Sequence, residues 1–351
     1  MTSIFLTGAT GYIGGSVLQT LTTVHPEYNI SVLVRNAEKA TQISNLFPRV
    51  RIVTGDLDGL DLIEKEVQEA DVTIHVASSS HRPSIEAIAR GLQKRAATNK
   101  SNPGFWLQIS GASILSYPDI SSNSYGEASS HIYDDLTGLS EVTSLPDTYL
   151  HRLNQKFVLD ASSPAPSLIK TALIAPPIIY GAGTGIQKRS VQIPELARVT
   201  IQEGHGVQVG KGLSVWPNIH IEDVSRLFLR LVEEAVVSGS PETYKGNQEI
   251  WNQGGYYFAE NGNELPWTKI ATIIANSAHA SNLIKDPTAI ESITAERANA
   301  LTPHGALLWG TNARGRALRA KGLLGWKPIG KSLEEEIPET VKVEARGLGL
   351  V

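Results

Sequence analysis

The stretch TGATGYIGG at residues 7–15 constrains the fold of this chain more than any other feature of its sequence. It spaces Gly8, Gly11 and Gly14 three residues apart, directly between a short apolar run and helix-compatible sequence. Glycines in this pattern permit a tight turn, let the backbone approach a pyrophosphate, and let a helix pack closely on a strand. The N-terminus of that helix offers unpaired N–H groups and a positive dipole end to the anion. The pattern predicts a dinucleotide site formed by Gly8, Thr10, Gly11, Tyr12, Ile13 and Gly14.

Short apolar runs alternate with helix-compatible sequence through the first half of the chain. The runs lie at residues 4–6, 30–34, 51–53, 72–76, 105–109 and 167–174, and helical sequence lies at 14–23, 60–69 and 83–98. Nearly continuous apolar strands separated by helices indicate a parallel sheet that is covered on both faces. The predicted fold class is therefore α/β, with a doubly wound parallel sheet of the Rossmann type.

The sequence changes in character after residue 181. A glycine-rich loop at 181–194 is followed by a hairpin-like run with several glycines at 204–224, a helix at 223–237 and an apolar strand candidate at 249–253. Mixed helices with proline and glycine breaks fill residues 267–351. We predict that residues 1–180 and 219–256 form the dinucleotide-binding domain. Residues 181–218 and 257–351 are predicted to form a smaller, interleaved α/β substrate domain.

The composition excludes several kinds of site. The 351 residues include no cysteine, which rules out disulfides, thiolate catalysis and zinc–cysteine sites, and no metal site is predicted. A net charge of -4, with acids and bases mixed along the chain, gives no reason to expect nucleic acid or an anionic membrane as a partner. The chain starts without a basic region before its first apolar run, and no stretch approaches the roughly 18 apolar residues of a membrane span. A cytoplasmic protein is expected.

The end of the second predicted strand bears on the identity of the dinucleotide. An acidic residue there, about 20 residues after the glycine loop, would bind the ribose 2′-hydroxyl of NAD. This chain has SVLVRNAEK, with Arg35 at that point. A guanidinium suits a 2′-phosphate through charge-assisted hydrogen bonds, and Lys39 would assist it. The sequence therefore favours NADP(H). NAD(H) is the alternative, with Arg35 as a solvated arginine at a strand end.

Seven short motifs, taken in order, give the chain a family resemblance. They are TGATGYIGG at 7–15, GDLDG at 55–59, HVASS at 75–79, LQISGAS at 107–113, PPIIYGAGTG at 176–185, NIHIEDV at 218–224 and LLGWKP at 323–328. The first motif is specific by itself, and the others gain weight from their order and spacing. The chain resembles extended short-chain dehydrogenases/reductases of the NAD-dependent epimerase/dehydratase superfamily, close to its atypical NmrA-like members.

The resemblance implies roles for residues around the cofactor. Asp56 and Leu57 would lie against the adenine, while Val76 and Ala77 would pass beneath the cofactor backbone. A turn-forming acid after a strand is the alternative for Asp56. The segment IYG at 179–181 would line the nicotinamide side. His220 in HIEDV is assigned to packing or to a contact behind the site, in preference to a role as catalytic base.

The resemblance also places a substrate-binding serine within SGAS. Superposition of the family's serine falls on Ala112, so Ser113 or Ser110 would hydrogen-bond the substrate carbonyl. Ser110 is equally well interpreted as a structural hydroxyl at the end of a strand.

The stretch DTYLHRLNQKFVLDAS at 147–162 departs from the family pattern. The family's reductive chemistry uses Tyr-x-x-x-Lys, in which the spacing of four places both side chains one helical turn apart. Lys156 is present, but the residue four before it is Arg152, and Tyr149 lies seven before it, about 10.5 Å along a helix. Asp147 and Thr148 are both good N-cap residues, which predicts a helix start beside Tyr149. Arg152 has a structural alternative, as an exposed helix arginine paired with Asp134, Asp135 or Asp147.

Three functions stay open on this pattern. In the first, an altered helix register brings Tyr149 or His151 to the substrate, and hydride transfer proceeds. In the second, the protein catalyses elimination, isomerisation or cyclisation without a Tyr–Lys pair, with His151, Arg152 or Tyr125 as the acid. In the third, the protein is a sensor that reports NADP(H) levels to a protein partner, as some NmrA-like proteins do.

We favour the first function, an NADP(H)-dependent oxidoreductase that acts on a small organic carbonyl compound or alcohol, including secondary metabolites. The assigned catalytic residues are Ser113, Tyr149, His151 and Lys156. Ser113 would polarise the substrate oxygen, Tyr149 or His151 would supply the proton, and Lys156 would hold the cofactor ribose. The predicted partner is the small-molecule substrate, and the protein is expected to be a monomer or homodimer.

Overall fold

The computed structural model of the protein describes residues 1–238 and 248–351. The strands in these residues are β1 (Ser3–Thr7), β2 (Asn29–Val34), β3 (Arg51–Thr54), β4 (Val72–His75), β5 (Gly104–Ile109), β6 (Tyr133–Asp134), β7 (Ile169–Ala175), β8 (Ile178–Tyr180), β9 (Gly206–Val209), β10 (Val215–His220), β11 (Tyr256–Phe258), β12 (Glu264–Pro266), β13 (Ile290–Ile293) and β14 (Gly315–Arg316). The helices are α1 (Tyr12–Val24), α2 (Ala37–Leu46), α3 (Leu60–Glu69), α4 (Arg82–Thr98), α5 (Tyr117–Ser122), α6 (Leu139–Thr143), α7 (Arg152–Asp160), α8 (Gln192–Glu203), α9 (Ile221–Ser238), α10 (Trp267–Ala280), α11 (Ala295–Leu301), α12 (Gly305–Gly310), α13 (Leu318–Leu323) and α14 (Leu333–Gly347).

Seven parallel strands form the central sheet, in the order β11-β7-β5-β4-β1-β2-β3. Strands β4, β5 and β7 are buried along their whole length, as expected for a parallel sheet covered on both faces. Helix α1 packs with α9, and α3 packs with α4, so separate helix pairs cover the sheet. The predicted doubly wound α/β fold is confirmed.

Chain order reverses beside β1, because β2 and β3 lie on one side of it and β4, β5, β7 and β11 lie on the other. In open α/β sheets, ligands bind at such a switch point, outside the carboxyl ends of the strands. The glycine loop follows β1 directly, so the topology brings it to this position.

Three smaller sheets accompany the central one. Strands β12, β10 and β8 form one, β13 pairs with β9, and β14 pairs with β6. Strand β8 pairs in parallel with β10, which leads directly into α9. The division of the chain into a dinucleotide-binding domain and a substrate domain stays a prediction. None of the helices in residues 1–238 and 248–351 has the length and hydropathy needed to cross a bilayer.

The prediction of a strand at residues 249–253 is wrong. This segment forms two short 3₁₀ helices, Gln248–Ile250 and Asn252–Gly254, and the strand β11 follows it. Asn252 has a left-handed backbone, with φ of 65°, and its side-chain amide oxygen accepts a hydrogen bond from the Thr171 N–H at 3.0 Å. The apolar residues that suggested a strand, Ile250 and Trp251, are buried in the core instead.

Candidate active site

The glycine loop after β1 lies against the end of β4. Gly8 has a φ of +88°, and a Cβ on it would lie 2.7 Å from the Ala77 nitrogen. A Cβ on Gly14 would lie 2.6 Å from the Gly8 carbonyl carbon and 2.9 Å from Cγ2 of Val76. Contacts below 3.0 Å force a shift of the backbone, so this loop needs glycine at both positions.

The N-terminus of α1 is open to a ligand. Gly11 is its N-cap residue and supplies no side-chain hydrogen bond to the first turn. The Gly11 N–H itself donates to the Gly8 carbonyl at 2.9 Å, which closes the turn. The first N–H groups of the helix therefore lack an internal partner, and a phosphate at a helix N-terminus satisfies them. The loop and the helix start fit the pyrophosphate of a dinucleotide.

A cleft of about 460 Å³ extends from this loop along the carboxyl ends of β1 to β4. It is lined by Thr7, Gly8, Thr10, Gly11, Leu33, Arg35, Gly55, Asp56, Leu57, Asp58, Val76, Ala77 and His81. Of the residues assigned to the cofactor from sequence, Gly8, Thr10, Gly11, Arg35, Asp56, Leu57 and Ala77 line this cleft. Tyr12, Ile13 and Gly14 form the start of α1 beside it. Lys156 does not line it.

Two polar residues of the cleft, Arg35 after β2 and Asp56 after β3, differ in their contacts. An Asp56 carboxylate oxygen accepts hydrogen bonds from the N–H groups of Asp58 and Gly59 at 3.1 and 3.2 Å, so Asp56 forms the turn that sequence offered as its alternative role. Arg35 is exposed and has no hydrogen bond or ion pair with any residue that the structure describes. Its guanidinium is thus available to an anion in the cleft.

Tyr12 connects the glycine loop to the loop at 181–190. Its hydroxyl donates a hydrogen bond to the Gly181 carbonyl at 2.7 Å, and burial raises the pKa of Tyr12. The backbone of Gly185 approaches Gly15 closely, and the Thr184 N–H donates to Ser16 at 3.2 Å. The second loop therefore packs on the first turns of α1 and encloses this side of the cleft.

His75, at the end of β4, was missed from sequence. Its Nδ1 lies 2.6 Å from the hydroxyl of Thr7, which lines the cleft, and its Nε2 lies 3.4 Å from the hydroxyl of Ser84 on α4. Burial lowers the pKa of His75 to about 3. The imidazole is therefore neutral and joins β1, β4 and α4 beneath the cofactor site.

This burial gives the protein a predictable dependence of stability on pH. In the unfolded chain His75 titrates near its ordinary value of about 6.5, so the unfolded state binds more protons between about pH 6.5 and 3. The His75 contribution is present above pH 6.5 and is lost as the pH falls, by up to about 1.4 kcal/mol per unit. When the pH is lowered from 7 to 5, the free energy of unfolding should fall in both proteins. We expect the fall to be about 2 kcal/mol smaller in the His75→Gln variant than in the wild type. Urea denaturation at both pH values measures this difference, and equal losses would contradict it.

The SGAS segment provides hydroxyls at the carboxyl end of β5. Ser110 accepts a hydrogen bond at 2.8 Å from Nε2 of Gln155, a buried residue of α7. Ser113 is half-buried in the short 3₁₀ helix Ala112–Ser116, and its hydroxyl has no hydrogen-bond partner among the described residues. Ser113 is therefore the serine of this segment whose hydroxyl is open to a substrate.

The helix expected to start at Asp147 or Thr148 begins later. Helix α7 starts at Arg152, after an N-cap residue, His151, in the left-handed region with φ of 65°. The Tyr149 N–H donates to the Pro146 carbonyl at 2.9 Å, which makes a tight turn in place of a helix. Tyr149 therefore lies in a turn before the helix.

Arg152 is buried and folds this turn into place. Its Nε donates to the Leu145 carbonyl at 3.1 Å, and its guanidinium also bonds the Thr143 carbonyl. The alternative of an exposed arginine paired with Asp134, Asp135 or Asp147 is wrong, since Arg152 is buried and its Nε and Nη2 bond these two carbonyls. Lys156 is exposed, and its ammonium lies 3.4 Å from the Asp147 carboxylate.

Tyr149 stacks on Tyr117, a residue that was not singled out from sequence. Their ring centroids are 4.1 Å apart, with an angle of 23° between the planes. His151 is half-buried, and burial lowers its pKa. Within residues 1–238 and 248–351, the side chains of Tyr117, Tyr149 and His151 make no hydrogen bond or ion pair.

Polar side chains without partners thus flank the carboxyl end of β5. Ser113 lies in the 3₁₀ helix Ala112–Ser116, and Tyr117 directly follows that helix and starts α5. Tyr149 stacks on Tyr117, and His151 follows two residues later. The group offers hydroxyl donors and one neutral imidazole, which together can bind an oxygen atom and move a proton. Lys156 is directed to Asp147 and is not brought into this group.

Comparison with known proteins gives relatives over the whole chain. Residues 1–91 match the NmrA-like family. A protein of Acremonium sp. named Oxidase ucsJ is 38% identical over 349 residues, which is 99% of each chain.

Solved structures with the same fold are more distant in sequence. The dTDP-glucose 4,6-dehydratase of Bacillus anthracis, solved in complex with NAD, superposes with a TM-score of 0.65 at 16% identity, over 100% of this chain and 98% of that chain. The UDP-glucose 4-epimerase of Thermotoga maritima, solved with UDP-glucose, gives a TM-score of 0.63 at 14% identity, over 99% and 100%. These likenesses show a shared fold.

Proposed function

The chain belongs to the extended short-chain dehydrogenase/reductase superfamily, as an NmrA-like member, and we propose that it is an NADP(H)-dependent oxidoreductase for a small organic carbonyl compound or alcohol. One observation carries the proposal. The uncapped N-terminus of α1 lies in a glycine cradle, and the unpaired Arg35 lies in the same cleft. The relative named an oxidase, and a structural neighbour solved with NAD, support a redox role with a nicotinamide dinucleotide.

We assign the two phosphate positions of the dinucleotide in the cleft from the positive groups that line it. The pyrophosphate would lie at the first turn of α1, where N–H groups and the helix dipole favour an anion. The 2′-phosphate would lie at Arg35, which has no carboxylate partner among the described residues. When bound, the dinucleotide supplies or accepts a hydride at its nicotinamide ring.

The chain's own residues would handle the oxygen and the proton. Ser113 would donate a hydrogen bond to the substrate carbonyl oxygen. Tyr149 would give its phenolic proton to that oxygen as the carbonyl becomes an alcohol, and would take the proton back in the reverse reaction. The stack on Tyr117 holds the Tyr149 ring in place of the usual lysine. His151 is the second choice in the direction of alcohol oxidation, because burial lowers its pKa and favours the neutral imidazole, which can accept the proton of the alcohol.

Cofactor preference tests the Arg35 assignment. We expect the Arg35→Ala variant to bind NADPH roughly tenfold more weakly and to bind NADH unchanged, because only NADPH carries the 2′-phosphate. Titration of protein fluorescence with each cofactor measures both dissociation constants. The matched control is Arg49→Ala, which removes an exposed arginine bonded to the Pro26 carbonyl and should change neither constant. Equal weakening of NADPH and NADH would contradict the assignment.

A non-redox enzyme is the second candidate. The observation that favours it is the pairing of Lys156 with Asp147, because the family's Tyr–Lys arrangement then has no lysine at the ribose. Elimination, isomerisation or cyclisation on this scaffold would leave the absorbance of bound NADPH at 340 nm unchanged during turnover. Turnover that consumes NADPH in proportion to product would exclude it. The roles assigned to Lys156, Tyr149 and His151 are predictions that substitutions at these three positions test.

A further inference from the structure

We propose that the substrate of this site is an uncharged compound with a flat aromatic ring, and not a nucleoside-diphosphate sugar. The inference rests on the proposed function, because it describes the substrate of the same site. It is carried by the aromatic pair of Tyr117 and Tyr149, and by the charges of the second half of the chain.

The aromatic pair forms a stacked surface, and Tyr117 directly follows the 3₁₀ helix that carries Ser113. Tyr149 packs against the hydrophobic core, and Tyr117 stacks on it with centroids 4.1 Å apart. Both rings are half-buried, and their hydroxyls make no hydrogen bond with the described residues. Aromatic rings prefer offset-stacked or edge-to-face partners, so such a pair favours an aromatic ring over a saturated one of equal size.

The same pair lies where the two halves of the chain meet. Ser116, directly before Tyr117, accepts a hydrogen bond from the Thr311 hydroxyl at 2.9 Å. Asp119, two residues after Tyr117, accepts one from the Asn312 N–H at 2.6 Å. Tyr117 is therefore held between two anchors to the segment after α12, at the junction where a substrate would contact both halves.

The arginines of the second half are already bonded to the protein. A diphosphate is bound best by guanidinium forks, which need free N–H donors. Arg314 and Arg316 bond the Glu264 carboxylate, and Arg189 bonds Glu195 and Glu344. The other arginines in residues 181–218 and 257–351 also bond carboxylates or backbone carbonyls, namely Arg198, Arg297, Arg319 and Arg346.

The lysines of residues 181–218 and 257–351 are either paired with carboxylates or exposed. Lys211 bonds Glu127 at 3.0 Å, and Lys321 bonds Glu260 at 2.7 Å. The lysines that form no ion pair are exposed, namely Lys188, Lys269, Lys285, Lys327 and Lys342. The arginines of these segments therefore have protein partners for their guanidinium groups, so a diphosphate would compete with those partners, whereas a neutral ring can stack on tyrosine.

Three probe ligands test the inference on the full chain loaded with NADP⁺, which has no hydride to give to a ketone. 2-Tetralone and trans-2-decalone have the same fused-ring ketone skeleton, but only the first has an aromatic ring. UDP-glucose supplies the nucleoside diphosphate. Isothermal titration should give a dissociation constant for 2-tetralone about tenfold below that for trans-2-decalone, with no saturation by UDP-glucose.

Variants at Tyr117 provide the matched comparison. We expect Tyr117→Leu to weaken 2-tetralone about tenfold and to change trans-2-decalone by less than about threefold, while Tyr117→Phe keeps the wild-type preference. The inference is overturned if UDP-glucose binds more tightly than 2-tetralone, if the two ketones bind equally or not at all, or if Tyr117→Leu leaves both constants unchanged. NADPH binding is titrated separately. A wild-type protein that fails to bind NADPH would overturn the proposed function, and this inference with it.

Discussion

Replacement of Gly14 by alanine is expected to weaken nicotinamide dinucleotide binding at least about 100-fold. The added Cβ would lie 2.6 Å from the Gly8 carbonyl carbon and 2.9 Å from Val76, so the glycine loop must move away from β4. That movement displaces the first N–H groups of α1 from the pyrophosphate. Loss of two or more charge-assisted hydrogen bonds, each worth about 1.5–3 kcal/mol, gives an effect of this size. Fluorescence titration with NADPH measures it.

Two further variants keep the Gly14 result interpretable. Gly322→Ala also adds a methyl group to a helix, but nothing lies within 4 Å of its Cβ, so binding should not change. Gly11→Ala places its Cβ 3.2 Å from the Gly8 carbonyl oxygen, and should fold with an intermediate loss of affinity. Thermal unfolding of each variant separates a folding defect from a binding defect. A folded Gly14→Ala protein with wild-type affinity would refute the pyrophosphate assignment.

The Tyr149→Phe variant is expected to lower kcat by roughly 10²–10⁴, the usual contribution of general acid–base catalysis. The substitution removes the phenolic hydroxyl and keeps the ring, so the stack on Tyr117 and the fold of the turn should be preserved. NADPH affinity should stay within about threefold, since the hydroxyl is assigned to the proton and not to the cofactor. Steady-state kinetics and cofactor titration together separate the two effects.

Tyr28→Phe is the matched control for Tyr149→Phe. Tyr28 stacks on His25, with ring centroids 4.4 Å apart. It lies next to the amino end of β2, away from the glycine loop, so removal of the Tyr28 hydroxyl should leave kcat unchanged. His151→Asn tests the second candidate for proton transfer. A large loss of kcat in His151→Asn, with Tyr149→Phe close to wild type, would move the proton to His151.

The parts of the site that sequence predicted are those set by neighbouring residues. The loop between β1 and α1 is specified by three glycines within seven residues, and Gly8 and Gly14 have no room for a Cβ. The strands of the central sheet are apolar runs whose burial follows from their own composition. Arg35 could be placed because it directly follows β2, and strand ends of a parallel sheet meet at one edge.

The parts that sequence could not predict depend on contacts between distant residues. His75 lies 68 residues from Thr7, and Tyr117 lies 32 residues from Tyr149, so no local pattern reports either pair. The start of α7 was misplaced for the same reason. Asp147 and Thr148 are good N-cap residues, but the buried Arg152 guanidinium bonds carbonyls seven and nine residues earlier and folds the chain into a turn. Side-chain contacts with the preceding loop here outweigh local capping preference.

The structure therefore changes the interpretation of segment 147–162. The residue at the family's tyrosine position, Arg152, organises the preceding turn, and Lys156 lies at the surface with Asp147. This turn positions the Tyr149 ring against the Tyr117 ring. Stacking on an aromatic neighbour is the proposed substitute for the lysine that orients the tyrosine in the family pattern.

Transfer of deuterium from labelled NADPH tests the central claim most directly. The protein is incubated with NADPH carrying deuterium at one or the other face of nicotinamide C4, and with a panel of aromatic ketones that includes 2-tetralone. We expect one label, and not the other, to appear on the carbinol carbon of the alcohol product by mass spectrometry, with one NADPH consumed per alcohol formed. Bound NADPH that is never consumed, or an alcohol that carries no deuterium from either labelled form, would contradict the account.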